Sequence, residues 1–169
     1  HTLSENPRLP LFNPDTAQYE FVSHPGGGWI RPSGPRTAGS VWIRHGTGEE
    51  DDGFRLEIFD GREFRVFLDP GQPWNIGSFR SLMETSRGDL WIGGSNGLGC
   101  YQDGQYRNIN AEDGFSGTGA FCLHERENGR IWVGARNRIH EFDGATWRVV
   151  LSRVDSVRGG GMTGQAENL

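Results

Sequence analysis

The 169-residue chain contains no lysine; all 17 of its basic residues are arginine. Two cysteines, Cys100 and Cys122, are too few for a disulfide scaffold and read as two small buried thiols. No Cys/His cluster has zinc-ligand spacing, and the histidines (His1, His24, His45, His124, His140) are scattered. No apolar run approaches the roughly 18 residues that would span a membrane, so no membrane contact is expected of this segment. A formal net charge of −5 excludes a generally basic nucleic-acid surface. G-x-x-x-x-G-K-[ST], G-x-S-x-G and H-E-x-x-H are all missing, so no catalytic residue and no cofactor is called for. The first residue is His rather than Met, and the chain reads as an excised or processed segment.

Aromatic residues and glycine are abundant. Six Trp, ten Phe and three Tyr supply the bulk of a packed core, and 27 Gly supply turns. These residues recur. Gly88-Asp89-Leu90-Trp91-Ile92-Gly93-Gly94 returns 41 positions later as Gly129-Arg130-Ile131-Trp132-Val133-Gly134-Ala135. An earlier copy, 49 positions upstream, is Gly39-Ser40-Val41-Trp42-Ile43-Arg44-His45. A second landmark follows each copy: Phe59-Asp60-Gly61, Tyr101-Gln102-Asp103-Gly104 and Phe142-Asp143-Gly144. Leu11-Phe12-Asn13-Pro14-Asp15-Thr16-Ala17-Gln18-Tyr19 reads as the same landmark with a longer turn.

Each unit reads as four short antiparallel strands, A to D, with Gly-containing turns between them. Val41-Trp42-Ile43, Leu90-Trp91-Ile92 and Ile131-Trp132-Val133 are apolar at consecutive positions, so both faces of each B strand must be covered. A four-stranded sheet buried on both faces and repeated every 41–49 residues predicts an all-β fold of β-propeller blades. The expected organisation is one partial propeller of about three to four blades over residues 1–169. A blade remnant lies at 10–25, blades at about 28–68, 77–110 and 119–151, and a flexible tail at 152–169. Trp42, Trp91 and Trp132 should be equivalent on the B strands and buried between blades. Phe59, Tyr101 and Phe142 should be equivalent on the C strands.

Glu84, Gly88, Leu90-Trp91-Ile92-Gly93, Gly97-Leu98 and Tyr101 resemble the two-component regulator propeller repeat. Phe12-Asn13-Pro14-Asp15-Thr16-Ala17 resembles the segment that ends such blades. The resemblance implies the extracytoplasmic, periplasmic sensor part of a transmembrane signalling regulator, often one that responds to carbohydrate. It departs from that pattern in the first unit, where Arg44-His45 replaces small residues and the B–C turn is long. The alternatives are a protein-interaction scaffold and a lyase of the streptogramin type. The latter is disfavoured because Ile or Val follows Trp and the acidic residue of that pattern is missing.

Binding residues are expected at the end of the blades that gathers the B–C turns and D–A connections, since the longer loops belong there. Arg44, His45, Asn96, Arg136 and Asn137 are the candidates for that face, with Trp74 as a stacking platform or a loop plug. Glu49-Glu50-Asp51-Asp52 offers oxygen ligands, but without the alternating spacing of a calcium loop, and reads as a solvated turn. Known propellers close with about 4–8 blades. This number of units therefore calls for a homodimer or the remainder of a longer propeller to cover apolar terminal faces.

Overall fold

A computed structural model describes residues 8–13, 15–36, 39–46, 54–68 and 75–152. Among the described residues it contains fourteen strands and no α-helix. β1 (Arg8–Asn13) and β2 (Gln18–Ser23) form a two-stranded hairpin. Three antiparallel four-stranded sheets follow, each a meander in chain order. Blade 1 comprises β3 (Trp29–Pro35), β4 (Val41–Gly46), β5 (Arg55–Phe59) and β6 (Phe64–Leu68). Blade 2 comprises β7 (Phe79–Glu84), β8 (Leu90–Gly94), β9 (Leu98–Gln102) and β10 (Gln105–Ile109). Blade 3 comprises β11 (Cys122–Glu125), β12 (Ile131–Gly134), β13 (Arg138–Phe142) and β14 (Trp147–Ser152). First strands neighbour one another, β3 against β7 and β7 against β11, so the sheets stack side by side as propeller blades.

Strand register makes the repeat geometric. Trp42, Trp91 and Trp132 lie opposite Ile58, Cys100 and Glu141 on the third strands. The residue before each Trp lies opposite Phe59, Tyr101 and Phe142. Because strand side chains alternate, Trp points to one face and its apolar neighbours to the other. The Trp faces of blades 1 and 2 each meet the next blade. Trp42, Leu56 and Leu68 pack against Leu90 and Ile92 of blade 2. Trp91, Leu98, Cys100 and Ile109 pack against Ile131 and Val133 of blade 3. The opposite face of blade 1, at Ile43 and Phe59, receives Leu9, Leu11 and Val22 of the hairpin.

Polar staples cross the same seams. The indole N–H of Trp42 donates to Glu84 Oε2 at 3.0 Å, and Arg36 Nε stands 3.4 Å from the same oxygen. Glu125 accepts both the backbone N–H and the hydroxyl of Ser86, at 2.7 and 2.8 Å. The acidic residue four positions before Gly88 and before Gly129 thus joins blade 2 to blade 1 and blade 3 to blade 2.

Two expectations need correction. Trp132 is only half-buried, because no described sheet covers its face. That face is ionic rather than apolar: Glu141 accepts from Trp132 Nε1 at 2.6 Å, from Arg130 Nη1 at 2.7 Å and from Arg148 Nε at 2.8 Å. Arg126 lies 4.5 Å from the centre of the Trp132 ring. Cys122, on the first strand of blade 3 and opposite Gly134, is exposed, whereas Cys100 is buried; both are free thiols.

Truncating Trp91 to Ala is expected to cost about 3–5 kcal/mol, and Trp132→Ala less than about half of that, since only the first leaves a cavity between two sheets. Urea unfolding of the two variants checks this; equal losses would mean that Trp132 is as fully packed as Trp91.

Candidate functional site

The connection between blades 2 and 3 is built as one compact unit. Asn110 accepts through its backbone carbonyl from Asp113 and Phe115 and through its side chain from Glu112. Asp113 Oδ2 in turn accepts from the N–H of Asn110 at 2.9 Å. At the far end, Ala120 N–H donates to the Gly94 carbonyl and Phe121 N–H to the Gly134 carbonyl, each at 2.8 Å. The connection is therefore tied to the second strands of both blades that it links. The close approach depends on glycine: a Cβ on Gly93 would stand 2.2 Å from the Ala120 carbonyl oxygen, and one on Gly94 equally close to that of Ile76.

Two open clefts flank this connection at the end of the blades that carries the B–C turns. One, of about 450 Å³, is lined by Ser116, Gly117, Thr118, Ala135, Arg136, Asn137 and Arg138. The other, of about 400 Å³, takes its polar lining from Asn75, Asn96, Asn108, Asn110 and Ser116 and its floor from Phe115. Asparagine amides each present donors and an acceptor, and guanidinium groups present planar donor pairs. The first cleft contains two arginines and no carboxylate among its lining residues, in a chain of net charge −5.

Of the candidates named from sequence, Asn96, Arg136 and Asn137 line these clefts. Arg44 and His45 do not. The guanidinium carbon of Arg44 lies 4.0 Å from the centre of the Phe79 ring, at the seam of blades 1 and 2, and its Nε donates to Ser33 Oγ. His45 is buried and faces Glu57 and His24. Trp74 and the run Glu49–Asp52 lie outside the described residues, as does the tail beyond Ser152. Sequence reading did not select Asn75, Asn108, Asn110 or Ser116. Their one visible signal is position, since all border a B–C turn or a D–A connection.

Beneath the clefts, Phe115 plugs the gap between blades, its ring 4.8 Å from His140 and 5.0 Å from Trp147. His140 is buried, and its Nε2 has no hydrogen-bond partner among the described residues. Burial, then the nearby Arg138 charge, hold this imidazole below its ordinary range. It is a neutral packing residue here, in keeping with its strand position.

Fold and clefts together define a stack of propeller blades with a polar, arginine-bearing loop face. No family model matches the chain, and no curated protein does. Solved structures do resemble it. One is the extracellular domain of BT3049 from B. thetaiotaomicron, described as a hybrid two component system. It aligns with 71% of this chain at 19% identity and a TM-score of 0.51. The chain spans 16% of the length of that structure. At this identity the likeness is one of fold.

The depressed imidazole gives a pH dependence with a fixed sign. The unfolded chain takes up a proton on His140 near pH 6.5, whereas the folded chain does so only at lower pH. Its contribution to stability is therefore complete above about pH 6.5 and is lost as pH falls towards the folded value. Urea midpoints should fall between about pH 7.5 and about pH 5.5, and fall less in His140→Leu. An unchanged pH dependence in that variant would show that His140 is protonated equally easily in both states.

Proposed function

We propose that this chain is the non-catalytic, ligand-binding propeller part of an extracytoplasmic sensor in a two-component signalling system. Its ligand is an oligosaccharide bearing carboxylate groups. The observation that carries this reading is the composition of the paired clefts: amides and guanidinium groups converge there without a competing acid on the arginine side. Sugar hydroxyls both donate and accept hydrogen bonds, which suits Asn75, Asn96, Asn110 and Asn137. An acidic sugar adds a carboxylate, which Arg136 or Arg138 can meet with two parallel N–H donors.

The setting supports a sensor. The fold likeness to the extracellular domain of a hybrid two component system protein supports this reading. The repeat pattern around Trp91 points the same way. Between two blades, a ligand that contacts the B–C turns of both would favour one relative placement of them. Binding would thereby be converted into a shift of population between arrangements. In this reading the remaining blades of the ring come from a longer propeller or from a second copy of the chain.

Calorimetry against neutral and uronic-acid-containing oligosaccharides tests the proposal. The acidic oligosaccharides should bind more tightly than their neutral counterparts. Asn96→Ala combined with Arg136→Ala should weaken binding by about 100-fold, roughly tenfold for each hydrogen-bonding group lost. The same Kd in the double variant, or no binding by any oligosaccharide of the panel, would overturn it.

A further inference from the structure

Away from the clefts, three buried side chains carry metal-ligand chemistry that the blade architecture does not require. His24 follows β2, His45 lies in β4 and Glu57 in β5; they are 5%, 3% and 2% exposed. One ligating atom from each lies within 4.8 Å of the other two. His24 Nε2 stands 2.8 Å from Glu57 Oε2, and His45 Nδ1 stands 3.1 Å from Oε1 of the same carboxylate. Arg55 Nη1, 3.8 Å from Oε1, is beyond hydrogen-bond distance.

The surrounding backbone fixes how the rings present themselves. His45 Nε2 donates to the Gly27 carbonyl at 2.8 Å, which turns Nδ1 towards Glu57. A neutral imidazole with its hydrogen on Nε2 has a lone pair on Nδ1, and an ionised carboxylate has only lone pairs. A 3.1 Å contact between them needs a cation at the junction, either a proton or a metal ion. A ring nitrogen that donates to a backbone carbonyl while the other faces the site is the usual outer arrangement of a metal-bound histidine. Around tetrahedral zinc, with bonds of roughly 2.0–2.1 Å, ligand atoms stand about 3.3 Å apart. The two histidine–carboxylate separations, 2.8 and 3.1 Å, need a small expansion to reach that value, and the three ligand atoms together already lie within 4.8 Å of one another.

Comparison between blades shows that the triad is an addition. Register puts Gly99 and His140 at the position of Glu57, and strand position puts Gly94 and Ala135 at that of His45. Blades 2 and 3 form without it. The turn after His24 is shaped around the rings as well, since a Cβ on Gly26 would lie 3.0 Å from His24 Cε1 and 3.3 Å from His45 Cε1.

We propose that His24, His45 and Glu57 form a binding site for a divalent transition-metal ion of the zinc class. Two imidazoles and one carboxylate are its protein ligands, and water completes the coordination. The ion would fasten the segment that leaves the N-terminal hairpin to the second and third strands of blade 1. His24 would ligate through Nε2, which moves its ring hydrogen to Nδ1. The Gly26 N–H, which donates to that Nδ1 at 3.0 Å, would then have to turn away. The glycine-rich turn Pro25-Gly26-Gly27-Gly28 permits this, with Gly27 and Gly28 already at φ +66° and +73°.

The test uses the full chain, dialysed against a chelator and titrated with zinc chloride. One ion should bind per chain and raise the melting temperature, and EDTA should reverse the rise. Cobalt(II) in place of zinc should give the visible absorption of a four-coordinate site. His24→Gln and His45→Gln should each weaken binding by more than about 100-fold, since losing an outer-shell partner alone costs roughly 10–100-fold. Should either variant fail to fold, nitrogen chemical shifts of the unmodified chain decide. Zinc must then move the His24 and His45 ring signals and the Gly26 amide. Absence of a stoichiometric zinc effect in the unmodified chain would overturn the proposal. So would undiminished binding in both folded variants, or ring signals that stay in place while zinc binds. None of these results bears on oligosaccharide binding at the clefts.

Discussion

Each seam between two sheets of this chain buries an apolar face of both, and that requirement organises the rest. A lone four-stranded meander with Trp on one face and Leu or Ile on the other has no stable place in water. It becomes stable by standing against a like sheet, each seam burying a few large side chains worth roughly 1.5–3 kcal/mol apiece. The result is visible in the two seams. The Trp face of one blade meets the Leu-x-Ile or Ile-x-Val face of the next. The direction never reverses, because the Trp occupies the same register position in every blade. Side-by-side stacking then gathers the described B–C turns and D–A connections at one end. Clefts arise there because a connection must cross from the outer strand of one blade to the first strand of the next.

A single repeat position shows how the fold leaves room for chemistry. Three residues beyond each Trp, blade 2 has Gly94, blade 3 has Ala135 and blade 1 has His45. Gly94 is required for close approach to the Ile76 carbonyl. Ala135 borders a cleft. His45 enters a buried cluster with Glu57 and His24. The seam is already secured by the Trp and by the residues either side of it. The strand end is therefore free to serve packing, ligand or metal, according to what the neighbouring connection brings to it.

The blades were legible in sequence because the signals for them are local. Consecutive apolar residues around Trp91 and the Asp-Gly turns fix strand and register without knowledge of any distant partner. Bulges such as the shifts between Leu56 and Glu57 and between Ile139 and His140 were not legible, because they depend on how one strand curves against its neighbour. The site was read in part. Asn96, Arg136 and Asn137 could be placed because they sit at the tips of predicted hairpins. Arg44 and His45 occupy a similar place in the chain yet turn inward, towards Phe79 and Glu57 respectively. The partners that draw them in are remote: His24 and Glu57 are separated by 33 positions, and Phe79 belongs to the next blade. Spacing rules for metal sites look along one strand or one turn, and this cluster is assembled across three segments.

The indole nitrogens show the same logic applied to polar atoms. Each large buried Trp brings one N–H that wants an acceptor. Trp42 finds it in Glu84 of the next blade. The corresponding acid for Trp91 would be Glu125, but both oxygens of Glu125 are engaged by Ser86, and Trp91 Nε1 is left without a partner among the described residues. Dense apolar packing has to offset that loss, and Trp91 shares its buried cluster with Leu98, Cys100, Ile109, Ile131 and Val133. Trp132, with no described sheet over it, takes its acceptor from its own blade, at Glu141. There the hydrogen bond from Trp132, with Arg148 and Arg130, holds the carboxyl near a pKa of about 2, so it stays ionised at any ordinary pH. The same register position in blade 2 is Cys100, whose thiol burial pushes up to about 12 and keeps neutral. A neutral group suits the covered seam, where an unpaired charge would be costly; an anion caged by arginines suits a face that water can reach. A following blade with the Leu-x-Ile face of blade 2 would strip water from that cage without offering it a hydrogen bond. The chemistry of blade 3 therefore demands a polar neighbour on its Trp132 side, or solvent.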